Sequence, residues 1–437
     1  MGVVIASTKA CPSPVRIVRV VPAVVALILL SACGPTHSPG VNEATGKTDL
    51  AEIDPFVAEP IGAPFEDKPW ISHVTVVDLD ADGLQDVLAC DDRLLAVVWL
   101  RQLAPGKFAE QAIGTELPAP VHCEPVDIDK DGDLDLLVAC MGVVFPNNDK
   151  IGSIVILEND GQQHFTRHDI LENVARITDV QAGDFDRDGR LDLAVAQFGY
   201  DQGEIRWMRN HGDWKFESVN LLNLSGTINV CVADMNGDDT LDIVALVSQQ
   251  WEEIYFFENL GRGAFSRKIL FGSTNEDFGS SGISLSDLNR DGRLDILYTN
   301  GDGFAYADPG KRPWHGVQWL ENLGRGYFRF HRIADLSGVY SPVGVDLDGN
   351  GAMDIVCISG FNDWSDPEAV SVVAFMNNGS MRFSPRVIAR EPTQLISCAV
   401  GDLDGTGRPS IVAAGFYSYP PFDRMGRITR WRQKPRP

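Results

Sequence analysis

Apolar residues along this chain come in short runs, such as residues 74–77, 230–233 and 243–246, each broken by polar and turn-forming residues. Runs of that length bounded by Gly, Asn and Asp read as strands. No stretch keeps a 3.6-residue apolar period long enough to compete as a helix. The runs flank an acidic nonapeptide that recurs at 78–86, 127–135, 184–192, 234–242, 287–295, 346–354 and 402–410. Its starts lie 49, 57, 50, 53, 59 and 56 residues apart. A period near 50 marks an array of equal units rather than separate domains.

Each unit has the same parts. A run precedes the acidic core and a second follows it. A third strand then ends in a large residue: Trp99, Leu157, Trp207, Phe257, Trp319, Phe375 or Trp431. A Gly- or Asn-rich turn comes next, as in Asn259-Leu-Gly-Arg-Gly263, which is a hairpin signal. A Phe opens the fourth strand, six residues range over Phe-x4-Ile/Leu, and the pairs are Phe108/Ile113, Phe165/Ile170, Phe216/Leu221, Phe265/Leu270, Phe328/Ile333 and Phe383/Ile388. The last unit stops after its third strand. The seventh Phe pair stands at the other end, Phe56/Ile61, 22 residues before the first core, where the others precede theirs by 18 to 22. A ring of sheets must close or expose its edges. The pattern therefore predicts an all-β, seven-bladed propeller of four-stranded blades, with residues 56–61 as the outer strand of the last blade.

Carboxylates at positions 1, 3, 5 and 9 of the nonapeptide converge on one point, and Gly at position 6 permits the sharp turn. So many like charges repel or protonate without a counter-ion. Hard oxygen donors at this density favour calcium. The candidate ligands are Asp78, Asp80, Asp82 and Asp86; Asp127, Asp129, Asp131 and Asp135; Asp184, Asp186, Asp188 and Asp192; Asp234, Asn236, Asp238 and Asp242; Asp287, Asn289, Asp291 and Asp295; and Asp346, Asp348, Asn350 and Asp354. The fourth loop has Asp239 in place of the glycine. The seventh keeps Asp402 and Asp404 but has Thr406 and Ser410, and is expected to bind weakly or not at all. These repeats resemble the FG-GAP or VCBS family, whose relatives include integrin α-subunit propellers. The resemblance covers about residues 50 to 432. It implies about six structural Ca2+ sites, each in the loop joining the first two strands of a blade.

Lys9, Arg16 and Arg19 precede an apolar run at 20–30, too short to span a bilayer. Leu30-Ser31-Ala32-Cys33 follows and resembles the lipobox of bacterial lipoproteins, which implies acylation of Cys33. The chain thus divides into a signal peptide (1–32), a lipidated Pro/Gly/Ser/Thr-rich tether (33–50) and the propeller (51–437). The expected location is the bacterial cell envelope, with the outer membrane as the leaflet to which the lipoprotein resemblance points. Export permits disulfides. Cys90–Cys123, Cys123–Cys140 and Cys357–Cys398 stay open as bridges, and burial of all six thiols as small hydrophobes stays open beside them. No CxxC pair suggests zinc.

With 37 basic and 61 acidic residues the formal charge is −24, which argues against a nucleic-acid partner. The membrane is reached through the lipid alone. The 2–3 loops, opposite the acidic face, carry Phe145, Phe198, Tyr200, Trp251, Phe304, Tyr306, Trp314, Phe361, Trp364, Phe416, Tyr417, Tyr419 and Phe422. Such rings serve as platforms for a glycan or anchors for a protein, or they cap blade cores. Five residues before the cores stand His73, His122, Asp179, Asn229, Gly282, Ser341 and Ser397, expected at one depth near the channel mouth. His73, His122 and Asp179 are the candidates for metal binding or acid–base work. No nucleophile elbow, HExxH or phosphate loop is present. The favoured expectation is a binding module for a glycan or protein; the alternative is a polysaccharide lyase or hydrolase using the His/Asp cluster.

Overall fold

The computed structural model describes residues 51–52, 56–249, 251–304 and 310–434. The expectations for the signal peptide, the tether and Cys33, and for Tyr306, lie outside the described residues. Seven antiparallel blades follow one another along the chain. Blade one is Ile71–Val77, Asp86–Asp91, Ala96–Ala104 and Lys107–Ile113. Blades two to six span 120–174, 177–223, 227–271, 280–335 and 339–389. Blade seven is Leu395–Gly401, Ser410–Gly415 and Ile428–Gln433, completed by Phe56–Pro60.

Burial explains the residue pattern. The second strand of every blade is buried throughout, because neighbouring blades cover both of its faces. These strands therefore read as continuous apolar runs. Fourth strands alternate, as in Phe165–Val174, because one face meets water. The cores lie between blades: Leu88 and Trp99 of blade one pack with Leu136 and Leu157 of blade two, and Phe165 seals that cluster. Phe265 plays the same part in the layer between blades three and four, 6.0 Å from the rings of both Phe185 and Trp207.

Closure occurs where the Phe spacing places it. Phe56 pairs with Gln433, Ala58 with Trp431 and Pro60 with Thr429, antiparallel. Charge locks the seam. Arg430 reaches Glu59 at 2.5 Å and Arg432 reaches it at 2.6 Å. Buried Arg427 ties blade seven to blade one through Asp91 at 3.0 Å and Glu110 at 2.9 Å. One element has no counterpart in the repeat: Ala51–Glu52 pairs parallel with Arg386 and Val387, adding a short fifth strand to blade six.

The disulfides that export would permit are not formed. Cys90, Cys123, Cys140, Cys231, Cys357 and Cys398 are free and buried. Cys90, Cys123 and Cys140 share one apolar cluster, so they pack as small hydrophobes. Burial pushes the Cys140 and Cys398 thiols up to about 12, which keeps them unreactive.

Candidate cation loops and the axial cavity

Each acidic loop joins the first and second strands of its blade. Position 1 folds the loop around itself. Asp78 Oδ1 accepts the Asp82 N–H at 3.1 Å and Oδ2 accepts the Gly83 N–H at 2.8 Å. Asp127, Asp184, Asp234, Asp287, Asp346 and Asp402 accept the equivalent pair. The path requires left-handed backbone at position 6, where Gly83 has φ +88°. Asp239 takes that conformation in the fourth loop without a glycine, at φ +65°, and Asp is among the residues that tolerate it.

Position 9 is a staple as well as a donor. Asp135 is fully buried; its Oδ2 accepts the Ile128 N–H at 3.1 Å and its Oδ1 the Asn159 N–H at 2.8 Å, joining loop to third strand. The same clamp recurs at Asp86, Asp242, Asp295 and Asp354. At Asp192 the Asn210 N–H and the Trp207 indole supply the donors. Burial raises Asp135, Asp192, Asp242, Asp295 and Asp354 to about 6.

The carboxylates at positions 1, 3 and 9 converge in four of the loops. In Asp78/Asp80/Asp86, Asp127/Asp129/Asp135, Asp184/Asp186/Asp192 and Asp346/Asp348/Asp354 a ligand atom from each residue lies within 4.8 Å of the others. Position 5 turns instead to the backbone: Asp82 accepts the Leu84 N–H at 2.9 Å and Asp131 the Asp133 N–H at 3.0 Å. The fourth and fifth loops have Asn at position 3, which donates to position 5, Asn236 to Asp238 at 3.1 Å and Asn289 to Asp291 at 3.0 Å.

Arginines compete for these carboxylates. The Asp80 side chain is 2% exposed; Arg101 sits 2.5 Å from its Oδ2, off hydrogen-bonding geometry, and neither oxygen accepts a hydrogen bond. Arg209 stands 2.5 Å from Asp186 Oδ2, which accepts no hydrogen bond among the described residues, while Oδ1 accepts the Asp188 N–H. In the seventh loop Arg430 donates to Asp404 at 2.8 Å, so a guanidinium meets the charge there. Basic residues at position 4 link adjacent loops: Lys130 donates to the Gly189 carbonyl at 2.6 Å, Arg187 to the Asp239 carbonyl, and Arg290 approaches Asp346 at 3.7 Å. These arginines and lysines escaped the sequence reading. Superposing the repeats would have found them, since the residue two places after Trp99 and Trp207 is Arg101 and Arg209.

At the other face, His73, His122, Asp179, Asn229, Gly282, Ser341 and Ser397 all line one axial cavity of about 440 Å3. The His73 and His122 rings lie 4.4 Å apart. His73 Nδ1 accepts the Cys123 N–H at 3.4 Å. His122 Nδ1 is 3.2 Å from Asp179 Oδ1. Asp179 Oδ2 accepts from Val230 N at 3.1 Å and Asn229 Nδ2 at 3.2 Å. Burial holds both histidines neutral, His73 well below its usual range and His122 down to about 4. It also raises Asp179 to about 7 and Glu124 to about 8. Among the described residues, the His73–His122–Asp179 set is not one of the trios that converge within 4.8 Å.

The rings of this face mostly pack on one another. Trp70 stacks on Phe416 at 5.6 Å and meets Phe145 edge-on at 5.3 Å; Phe304 touches Phe145, Phe361, Phe416 and Tyr419 at 5.8 to 6.1 Å. Rings of blades one, two, five, six and seven thus meet as a plug. Phe198 and Tyr200 of blade three instead flank the Arg176 guanidinium. Trp251 is 52% exposed.

The FG-GAP-like repeat family matches residues 63–138, 143–195, 188–245 and 346–413. No curated protein matches the chain. Among solved structures, two crystals of BBS1N in complex with ARL6DN, soaked with lead and with mercury, match at 12% identity. They cover 89% and 87% of this chain and 97% and 96% of theirs, with TM-scores of 0.50 and 0.52. The V. cholerae biofilm matrix protein Bap1 matches at 12% identity over 84% of this chain and 88% of its own, with a TM-score of 0.42.

Proposed function

The chain belongs to the FG-GAP-like repeat family, and from that premise we propose a calcium-stabilised propeller that serves as a binding module at the cell envelope. The observation that carries the calcium is the convergence of three carboxylates in four loops; in the first, Asp80, with a side chain 2% exposed, has Arg101 as its counter-charge and among the described residues accepts no hydrogen bond. A divalent cation satisfies such a group where water cannot reach it. The residues present fit the ion in the first, second, third and sixth loops, where three carboxylates meet. In the fourth and fifth, an Asn side-chain oxygen takes the place of one carboxylate.

Binding is the reading for the opposite face. Its partner is a protein. Among the described residues the apolar side chains exposed there are Phe65 before blade one, Leu94 and Leu95 of blade one, Val143 of blade two and Trp251 of blade four, and three of these five are aliphatic. Aliphatic groups bury well against a protein but give a sugar ring no stacking face. Acylation of Cys33 holds the propeller at the membrane, with residues 34–50 as the spacer.

Photo-crosslinkers placed at Leu94 and at Leu260, which lies in a 3–4 turn on the acidic face, test the surface. Crosslinking of one envelope protein from Leu94 alone, lost when Trp251→Ala is added, supports the reading. Retention of a glycan on an array, unaffected by Leu94→Asp and Trp251→Ala, refutes it. So does turnover of an acidic polysaccharide followed by absorbance.

A further inference from the structure

The axial cavity holds a second kind of polar cluster, unlike the acidic loops. His122 Nδ1 and Asp179 Oδ1 face each other at 3.2 Å, yet among the described residues they form no hydrogen bond with each other or with any other group. Asn229 Oδ1, on the same wall, is also buried without a partner. Asp179 is 3% exposed. Interiors seldom leave such atoms unpaired, because each one loses its hydrogen bonds to water and gains nothing. Three on one wall, contributed by consecutive blades, point to a ligand that pairs with them together.

Distance and donor type identify it. An ion bound at ~2.0–2.1 Å by an imidazole nitrogen and a carboxylate oxygen sets those two atoms ~3.3 Å apart when its geometry is tetrahedral. The observed separation is 3.2 Å. Nitrogen donors suit zinc, copper, nickel and iron, whereas calcium takes oxygen. We propose that the cavity binds a divalent transition-metal ion on His122 Nδ1 and Asp179 Oδ1, with Asn229 Oδ1 as the third donor.

The surroundings hold these donors in place. Val230 N and Asn229 Nδ2 both donate to Asp179 Oδ2, which fixes the carboxylate and turns Oδ1 free of them. His73 stands beside the site and not in it. Its Nδ1 accepts the Cys123 N–H, so its proton stays on Nε2 and that nitrogen has no lone pair to give. The ion's remaining positions open to a cavity of about 440 Å3, large enough for a small ligand to reach it. This site does not depend on the calcium reading, since no residue is shared.

Cobalt(II) is the probe, because it substitutes for zinc and absorbs visible light. The intact propeller, saturated with Ca2+, is titrated with Co2+ and followed by absorbance and calorimetry. One Co2+ per chain is expected, with a visible band that excess Ca2+ does not remove. Asp179→Asn and His122→Gln are each expected to weaken it at least tenfold while leaving the melting temperature in Ca2+ unchanged; His73→Gln changes it less than threefold. Displacement by Ca2+, or unchanged affinity in both ligand variants, overturns the site. A loss in His73→Gln as large as in His122→Gln overturns the ligand set.

Discussion

Removing calcium should lower the melting temperature by an amount the structure lets one work out. Four loops bring three carboxylates together within 4.8 Å. A ligand present at a hundred times its dissociation constant adds about 2.7 kcal/mol per site, so four sites add about 11 kcal/mol. The described part of the chain, roughly 375 residues, unfolds with an entropy of about 2.1 cal/mol/K per residue, or about 0.8 kcal/mol/K in all. The ratio gives a fall of about 14 °C when EDTA replaces Ca2+. Disabling one loop should remove a quarter of it. Asp129→Ala is the cleanest case, because it removes the donor outright and among the described residues Asp129 has no arginine against it, as Asp80 and Asp186 do. Scanning calorimetry of both proteins, with and without Ca2+, makes the measurement, and the variant should lose about 3–4 °C of the calcium effect. An unchanged melt in EDTA would remove calcium from the account, and the carboxylates would then be held by Arg101, Arg209 and hydrogen bonds alone.

Other expectations follow from the same contacts. Arg101→Met frees Asp80 and should widen the gap between the melts with and without Ca2+, by destabilising only the calcium-free form; an unchanged gap would show that the guanidinium does not compete. Arg430→Met breaks a pair of bonds made by a side chain only 4% exposed. At about 3–5 kcal/mol for a broken buried pair, the melt should fall by ~4–6 °C, and a change under one degree would mean that backbone pairing alone closes the ring. At Glu59 burial raises the carboxyl's pKa, but the Arg430 and Arg432 bonds outweigh it and the net shift is downward. A lowered folded value stabilises above the ordinary carboxylate range and is lost as pH falls through it. Glu59→Gln should therefore flatten the acid side of the stability curve, read from melts between about pH 6 and 3. Cys33→Ser should move the protein from the membrane to the soluble fraction of a fractionated cell, and persistence in the membrane would refute the anchor.

The repeat made the architecture readable. Seven Phe residues in equivalent positions, one displaced to the far end of the chain, fixed both the blade number and the way the ring closes, because a sheet edge must be paired and only one segment was left to pair it. The position-1 carboxylates and the position-6 turn were legible for the same reason. What was not legible depends on direction. Spacing alone does not say which way a carboxylate points: one oxygen each of Asp82 and Asp131 accepts the amide two residues on, and the groups that meet within 4.8 Å come from positions 1, 3 and 9. The aromatic loops left two roles open, platform or cap, and counting rings could not choose between them; Trp70, Phe145, Phe304 and Phe416 pack their faces on one another.

The departures from the repeat carry a different kind of information. At one register the blades carry His73, His122, Asp179, Asn229, Gly282, Ser341 and Ser397 in turn. Gly and Ser in blades five to seven show that the scaffold closes with little or no side chain at this depth. The larger polar groups of blades one to four are therefore not required by packing. Three of them are nonetheless buried or nearly so, and His122, Asp179 and Asn229 each leave an atom unpaired. A fold that can use serine, and instead keeps unsatisfied imidazole, carboxylate and amide atoms side by side, bears a cost in stability at that wall. The acidic loops repeat because every blade needs its turn clamped; the cavity wall does not repeat, and that asymmetry is the reason to look for the propeller's specific chemistry there.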